Sequence, residues 1–201
     1  MRNMGKARHV TLTRRFVMTA VCSLLLVGCG NSSDAPPRSS APPKSTTTTP
    51  PPAWESNYTA GELVIYREAV QRVEAYEAKS QPIYAAGKAT KAAKEIFQDN
   101  LLSWQSEWAQ LQSYDKKRIK IARGPVALST EAKSIKLLKD DAASVELTRC
   151  TDQTDLGGTM NSEPLANAYD EPVIQEVDVY RYSDGRWRIG VFKTLETTCT
   201  G

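Results

Sequence analysis

The chain has 201 residues, of which 40% are hydrophobic and 24% charged, and its formal net charge is +3. Five of the 26 basic residues precede Cys29, so the remainder holds 21 basic against 23 acidic residues, a net charge of −2. This slightly acidic remainder gives no electrostatic basis for nucleic-acid binding, and no nucleic-acid partner is expected.

The first 28 residues have the pattern of a secretion signal. Residues 1–15 contain basic side chains and no acidic ones, and residues 16–28 are predominantly apolar. An apolar stretch of about thirteen residues forms roughly 20 Å of helix, short of the roughly 30 Å of a bilayer core. The segment is therefore predicted to be a signal peptide rather than a permanent transmembrane helix.

A cysteine ends this apolar run, in the sequence Leu26-Val27-Gly28-Cys29. The motif resembles the bacterial lipobox, in which the cysteine sulfur receives a diacylglycerol group and a peptidase cuts before the cysteine. The resemblance implies that Cys29 is lipidated and anchors the protein to the lipid bilayer, on the extracytoplasmic face of the cell membrane.

Arg14-Arg15-Phe16 bears on the choice between two export routes. This sequence has the arginine pair of a twin-arginine signal but lacks the residue that usually separates the pair from Phe. The general secretory route is therefore favoured, with twin-arginine export as the alternative.

Removal of the signal would change the set of reactive side chains. The one histidine, His9, and Cys22 both lie before Cys29. Without histidine the chain lacks the base of Ser-His-Asp and Cys-His schemes and the commonest metal ligand, so we expect no metal and no cofactor. Cys150 and Cys199 remain, in a compartment where disulfides persist. Their disulfide would stabilise the fold by about 4 kcal/mol, and two unpaired thiols are the alternative.

A tether and one domain are predicted to follow the signal. Residues 29–57 are dominated by Ser, Thr, Pro and Ala, as in "SSDAPPRSSAPPKSTTTTPPP". Such a segment cannot bury enough apolar area to offset the entropy of ordering it. We expect a disordered, extended spacer here and a single α+β domain over residues 58–201.

The first half of the domain has helical periodicity. Residues 61–79 carry apolar side chains at three- and four-residue steps, and Pro82 is expected to end this helix. A second helix with an alanine-rich side is predicted over residues 88–100. The third helix is marked by four residues at similar steps, Leu101, Trp104, Trp108 and Leu111.

The second half has the features of antiparallel strands. Candidate strands span residues 118–128, 134–138, 143–151, 172–182 and 186–198. Hairpin turns are predicted at Asp140-Asp141 and Asp184-Gly185, whereas residues 152–172 are predicted to form a loop. Helices followed by such strands indicate an α+β fold with the helices on one face of the sheet.

This order of elements resembles the NTF2-like (SnoaL-like) family. The last two strands correspond to its long terminal hairpin, and Gly185-Arg186-Trp187 matches the Gly-x-Trp that often opens the final strand there. The resemblance implies a cone, with N-terminal helices packed on a curved antiparallel sheet. Actinobacterial lipoproteins with a Pro/Thr tether and such a domain are similar in outline. They imply that a Cys150–Cys199 disulfide joins a central strand to the end of the last strand.

Carboxylates on the penultimate strand are the candidate cone residues. Enzymes of the NTF2-like family work in the mouth of the cone, usually with an Asp or an Asp/His pair. Asp178, Glu176 and Tyr180 share one face of the strand, which could point into the cone. A solvated strand face is the alternative, and no residue is predicted to be catalytic. Several aromatic residues fit either core packing or a ligand platform: Trp104, Trp108, Tyr66, Tyr76 and Tyr84.

Three functions follow from these features. The tether, the expected disulfide and the missing histidine favour a non-enzymatic module of the cell envelope, which binds another envelope protein or a small apolar ligand. A small-molecule enzyme that uses a carboxylate in the cone and a structural spacer of the cell wall are the two alternatives.

Overall fold

The computed structural model describes residues 50–199, apart from the side chain of residue 196. Three predicted features lie outside the described residues: the signal peptide, lipidation at Cys29 and the tether up to residue 49. A 3₁₀ helix, Ala53–Asn57, comes first, and its Trp54 packs against Tyr66 with 4.8 Å between ring centroids. The packed domain therefore begins a few residues before the predicted boundary at residue 58.

Capping motifs fix both ends of helix α1, Ala60–Ala86. At its start, the Thr59 hydroxyl accepts a hydrogen bond from the Glu62 N–H, while the Glu62 carboxylate accepts one from the Thr59 N–H at 2.8 Å. At its end, Gly87 has a φ of +59°, and a Cβ there would lie 2.2 Å from the carbonyl oxygen of Ile119. The close approach of these two segments therefore requires glycine.

The prediction that Pro82 ends this helix is wrong, because α1 continues through it to Ala86. Proline removes one backbone hydrogen bond from a helix interior. Ile83 and Tyr84, immediately after it, pack against the core. This packing holds the last turn in place against the local preference of proline.

Helix α2, Lys91–Asn100, and helix α3, Trp104–Lys117, complete the helical layer. Helix α2 begins three residues later than predicted because the Thr90 hydroxyl caps it, accepting a hydrogen bond from the Ala93 N–H at 3.2 Å. The junction between α2 and α3 is tied to the sheet, since the Leu102 N–H donates to the carbonyl of Ile189 at 2.8 Å.

Two antiparallel sheets follow, which confirms the α+β class. The larger has the order β2-β3-β6-β7. Its strands are β2 (Val126–Leu137), β3 (Ala143–Asp152), β6 (Val173–Arg181) and β7 (Trp187–Thr198). The smaller has the order β1-β4-β5. Its strands are β1 (Ile119–Ile121), β4 (Gly158–Met160) and β5 (Glu163–Pro164).

The predicted strands over residues 118–128 and 134–138 are wrong in their boundaries. Gly124-Pro125 separates β1 from β2, because proline has no N–H to give to a strand pairing. Strand β2 then pairs with β3 from Val126 to Leu137, with register shifts at Leu128 and at Lys133. Residues 152–172, predicted as a loop, contain the short strands β4 and β5.

Both predicted hairpin turns are confirmed. Asp140 and Asp141 have φ values of 56° and 59°, and the Ala142 N–H donates to the carbonyl of Lys139 at 3.2 Å. Two adjacent positive φ values are the pattern of a type I′ turn. In the second hairpin, Gly185 has a φ of 79°.

Alternation along the strands divides the large sheet into two faces. The residues of β3 and β6 that face the helices are buried, and those on the opposite, outer face are partly exposed. The helices and the inner face share one core, whose largest fully buried side chains include Phe97, Leu111, Leu147, Ile189 and Val73.

A disulfide joins Cys150 on β3 to Cys199, the residue after β7, with 5.8 Å between their Cα atoms. Of the two alternatives for these cysteines, the structure therefore contains the pair. Strand β6 lies between β3 and β7 in the sheet, and the Cys199 N–H donates to the carbonyl of Pro172 at 3.1 Å. The end of the last strand is thus held against a central strand at the point where β6 begins.

Candidate functional site

The three candidate residues on β6 lie on the outer face of the sheet. Glu176, Asp178 and Tyr180 alternate with Val177 and Val179, which are buried in the core beneath the helices. The three side chains share a face, as the alternation predicts, but that face points away from the helices. Of the two alternatives for this face, one that points into the cone and a solvated strand face, the structure has the second, because burial favours the face that carries the valines.

Charge pairs organise this outer face. The Lys133 ammonium donates to one oxygen of Glu176 at 2.6 Å, and Lys193 lies 3.9 Å from the other. The Lys133 hydrogen bond holds the pKa of Glu176 below its usual value. Asp178 lies directly opposite Glu146 on β3. Partial burial raises the pKa of Asp178, and the charges of Glu146 and Glu176 raise it further.

A cleft of about 500 Å³ opens between α1, α3 and the inner face of the sheet. Tyr76, Ser80 and Tyr84 lie on one face of α1 because they follow each other at four-residue steps. On α3, Glu107 and Gln110 are three residues apart and face the same space. The remaining lining residues come from α1, the β1–β2 connection and the sheet: Glu77, Ala78, Gln81, Gly124, Pro125, Gln175 and Phe192.

Aromatic rings form the walls of this cleft. Tyr76 stacks on Phe192 with 5.8 Å between ring centroids. Tyr84 packs against Phe97 at 6.0 Å and meets Tyr114 edge-on at 6.2 Å. These contacts fix the orientation of both tyrosines that face the cleft.

Glu107 is one of the two carboxylates that line the cleft, with Glu77, and the Tyr84 hydroxyl donates a hydrogen bond to its Oε2 atom. Burial raises the pKa of Tyr84, and the negative charge of Glu107 raises it further. The pKa of Tyr76 is raised by burial first and then by the same charge. Both hydroxyls therefore remain protonated at neutral pH.

A buried arginine supports the wall of the cleft. Arg149 is only 2% exposed, and its guanidinium donates to both oxygens of Glu77, at 2.7 and 2.9 Å. It also donates to the side-chain carbonyl of Gln175 at 3.3 Å. This bidentate geometry is the strong form of the pair, and it neutralises the charge of Glu77 beside the cleft.

The arrangement suits the binding of a small, mainly apolar molecule. The aromatic walls supply apolar contact area, and Glu107 supplies an acceptor at one position. Within residues 50–199, no group of three or more His, Cys, Asp or Glu side chains is placed to hold a metal ion.

The sequence is compatible with two roles for Tyr76 and Tyr84, core packing and a ligand platform. The structure places both side chains in the lining of the cleft. Tyr66 is buried in the core, with its hydroxyl bonded to the carbonyl of Thr130 at 2.7 Å. Trp104 and Trp108 are half-buried beneath the Lys94 ammonium, which lies 5.3 and 5.8 Å from their ring centroids.

Four residues of the site were missed: Glu77, Glu107, Arg149 and Gln175. Two of them carry a signal in the sequence. Arg149 continues the inward-facing series of β3, after Val145 and Leu147. Gln175 interrupts the inward-facing valines of β6 in the same way. A polar side chain in the buried series of a strand requires a partner.

No protein-family model and no curated protein matches the chain. Among the described helices, none is both long and apolar enough to cross a membrane.

Proposed function

We propose that the protein is a membrane-anchored, extracytoplasmic lipoprotein whose domain is a non-enzymatic binding module of the cell envelope. The anchor is supported by the lipobox-like sequence that ends at Cys29, behind a basic and then an apolar segment. Export is supported by the Cys150–Cys199 disulfide, because such bonds persist in oxidising compartments.

We further propose that the domain is an NTF2-like cone. Support comes from the order of the elements, with three helices before the strands, and from the long β6–β7 hairpin at the end. Register shifts in the β2–β3 and β6–β7 pairings also favour a curved sheet, since bulges bend and twist the strands that contain them.

The aromatic cleft is the main support for the proposal that the domain binds a small molecule. Its volume of about 500 Å³ lies within the roughly 300–1,000 Å³ that is usual for small-molecule pockets. Contacts between aromatic rings hold its walls in place. The enzymatic alternative loses its candidate carboxylates, because Asp178 and Glu176 lie outside this cleft. The ligand proposed is a small, mainly apolar molecule that is bound without chemical change.

The anchor is tested by fatty-acid labelling of cells that express the full chain. Cys29→Ser should abolish incorporation of labelled palmitate and leave a heavier, unprocessed precursor. Cys22→Ser, seven residues earlier in the apolar run, is the matched control and should be labelled normally. Label that persists in Cys29→Ser would show that lipid is attached at another residue, and a wild type without label would refute the anchor.

The binding function is tested by native mass spectrometry of the full chain released from detergent. A neutral naphthalene probe, 1-naphthylmethanol, should bind the wild type at a ratio of one to one. Ala78→Trp, at an exposed α1 position on the rim of the cleft, should block it. Ala75→Trp, exposed on the same helix but outside the lining, should not. The proposal fails if the wild type takes up no probe, or if Ala78→Trp binds as well as Ala75→Trp.

A further inference from the structure

We propose that the cleft selects a ligand with a protonated amine beside an aromatic ring, and that the Glu107 carboxylate receives the amine. This inference rests on the proposed binding function and adds the charge of the ligand to it.

The charges around the cleft leave one carboxylate uncompensated. Two acidic residues line it, Glu77 and Glu107. Glu77 is neutralised by the two hydrogen bonds from Arg149. Within residues 50–199, no basic side chain lies within 4.0 Å of Glu107, and the lining contains no Lys, Arg or His. An uncompensated negative charge attracts a cation and repels an anion of the same shape.

Hydrogen bonding leaves Glu107 able to accept a further donor. Its Oε2 atom is occupied by the Tyr84 hydroxyl. In the described part of the chain, no side-chain or backbone donor is bonded to Oε1. A carboxylate can accept several hydrogen bonds, and an ammonium group supplies three donors at once. The vacant oxygen is therefore suited to an amine rather than to a carbonyl or a carboxylate.

The aromatic walls reinforce the same preference. Tyr76, Tyr84 and Phe192 line the space beside Glu107. The negative faces of such rings attract cations within about 6 Å of the ring centre. The ring of the ligand would pack on these walls while its ammonium group reaches Glu107. The half-buried position of Glu107 strengthens the attraction, because effective dielectric screening is weaker there than in bulk water.

Three probes of nearly equal size test the inference on the full chain: 1-naphthylmethylamine, 1-naphthylmethanol and 1-naphthoic acid. Dissociation constants are measured by native mass spectrometry at neutral pH, where the first is a cation, the second neutral and the third an anion. We expect the amine to bind roughly tenfold more tightly than the alcohol, and the acid to bind more weakly than both.

The variants separate the charge of Glu107 from its shape. In Glu107→Gln, the amine and the alcohol should bind within about twofold of each other. Glu74→Gln makes the same charge change at an exposed α1 position outside the lining and should keep the wild-type ratio. Equal binding of amine and alcohol to the wild type, or a preference that survives in Glu107→Gln, would overturn the inference while the proposed function stands. Loss of binding for all three probes would instead refute the proposed function.

Discussion

Removing either partner of the Arg149–Glu77 pair should destabilise the protein by unequal amounts. The Arg149 side chain is 2% exposed, whereas that of Glu77 is 26% exposed. Glu77→Ala leaves a guanidinium charge in the core with only Gln175 as an acceptor, and loss of one partner of a buried pair costs about 3 kcal/mol or more. Arg149→Met leaves a carboxylate that water can reach, so about 1 kcal/mol is expected.

Equilibrium urea unfolding measures this difference through tryptophan fluorescence, since all four tryptophans lie between residues 54 and 187. The double variant should be about as stable as Arg149→Met alone. Without the Arg149 guanidinium, there is no buried positive charge for the Glu77 carboxylate to neutralise. Lys88→Met, which breaks an exposed ion pair with Asp115, is the control and should leave the free energy of unfolding nearly unchanged. Equal losses in the two single variants would refute the reasoning.

Three further predictions concern the sheet. Asp178→Asn removes the like charge opposite Glu146 and should stabilise the fold by about 0.5 kcal/mol at pH 7. Because the pKa of Asp178 is raised on folding, its contribution to stability is full below its unfolded pKa of about 3.9 and is lost as pH rises through the folded value. The gain in Asp178→Asn, followed by Tm, should therefore vanish near pH 3; a gain that persists there would contradict the charge argument. Glu176→Gln should have the opposite sign at pH 7, since its pKa is lowered by Lys133. The double variant Cys150→Ser with Cys199→Ser should lose about 4 kcal/mol, and a Tm indifferent to both the substitutions and reductant would show that the bond does not stabilise the fold.

The turns and the class of the fold were predictable because they depend on neighbouring residues. Asp184-Gly185 and Asp140-Asp141 favour positive φ by their own chemistry, and both turns are found where expected. The prediction from Pro82 was wrong because whether a proline ends a helix depends on how the residues after it pack, and Ile83 and Tyr84 pack against the core. The pairing of β1 with β4 was not predictable, because β4 lies almost forty residues later and no local pattern indicates that pairing.

The candidate site was only partly predictable for a related reason. The two-residue alternation of side chains along β6 shows that Glu176, Asp178 and Tyr180 share a face of the sheet. It does not show that a functional cleft lies on that face. The cleft uses the inner face, where Gln175 and Arg149 interrupt apolar series, and it is completed by Glu107 from a helix. Only the folded chain brings α3 to the sheet, so the pairing of Glu107 with Tyr84 has no counterpart in sequence spacing.

The disulfide also determines how the protein responds to proteolytic cleavage. A single cut between Cys150 and Cys199, for example in the exposed part of the β5–β6 connection, leaves the two pieces joined through sulfur. Strand β6 pairs with β3 on one side and with β7 on the other, so the nicked sheet keeps its hydrogen bonds as well. A cut molecule therefore migrates as one species until it is reduced. One cut between the two cysteines therefore does not by itself separate the parts of the domain.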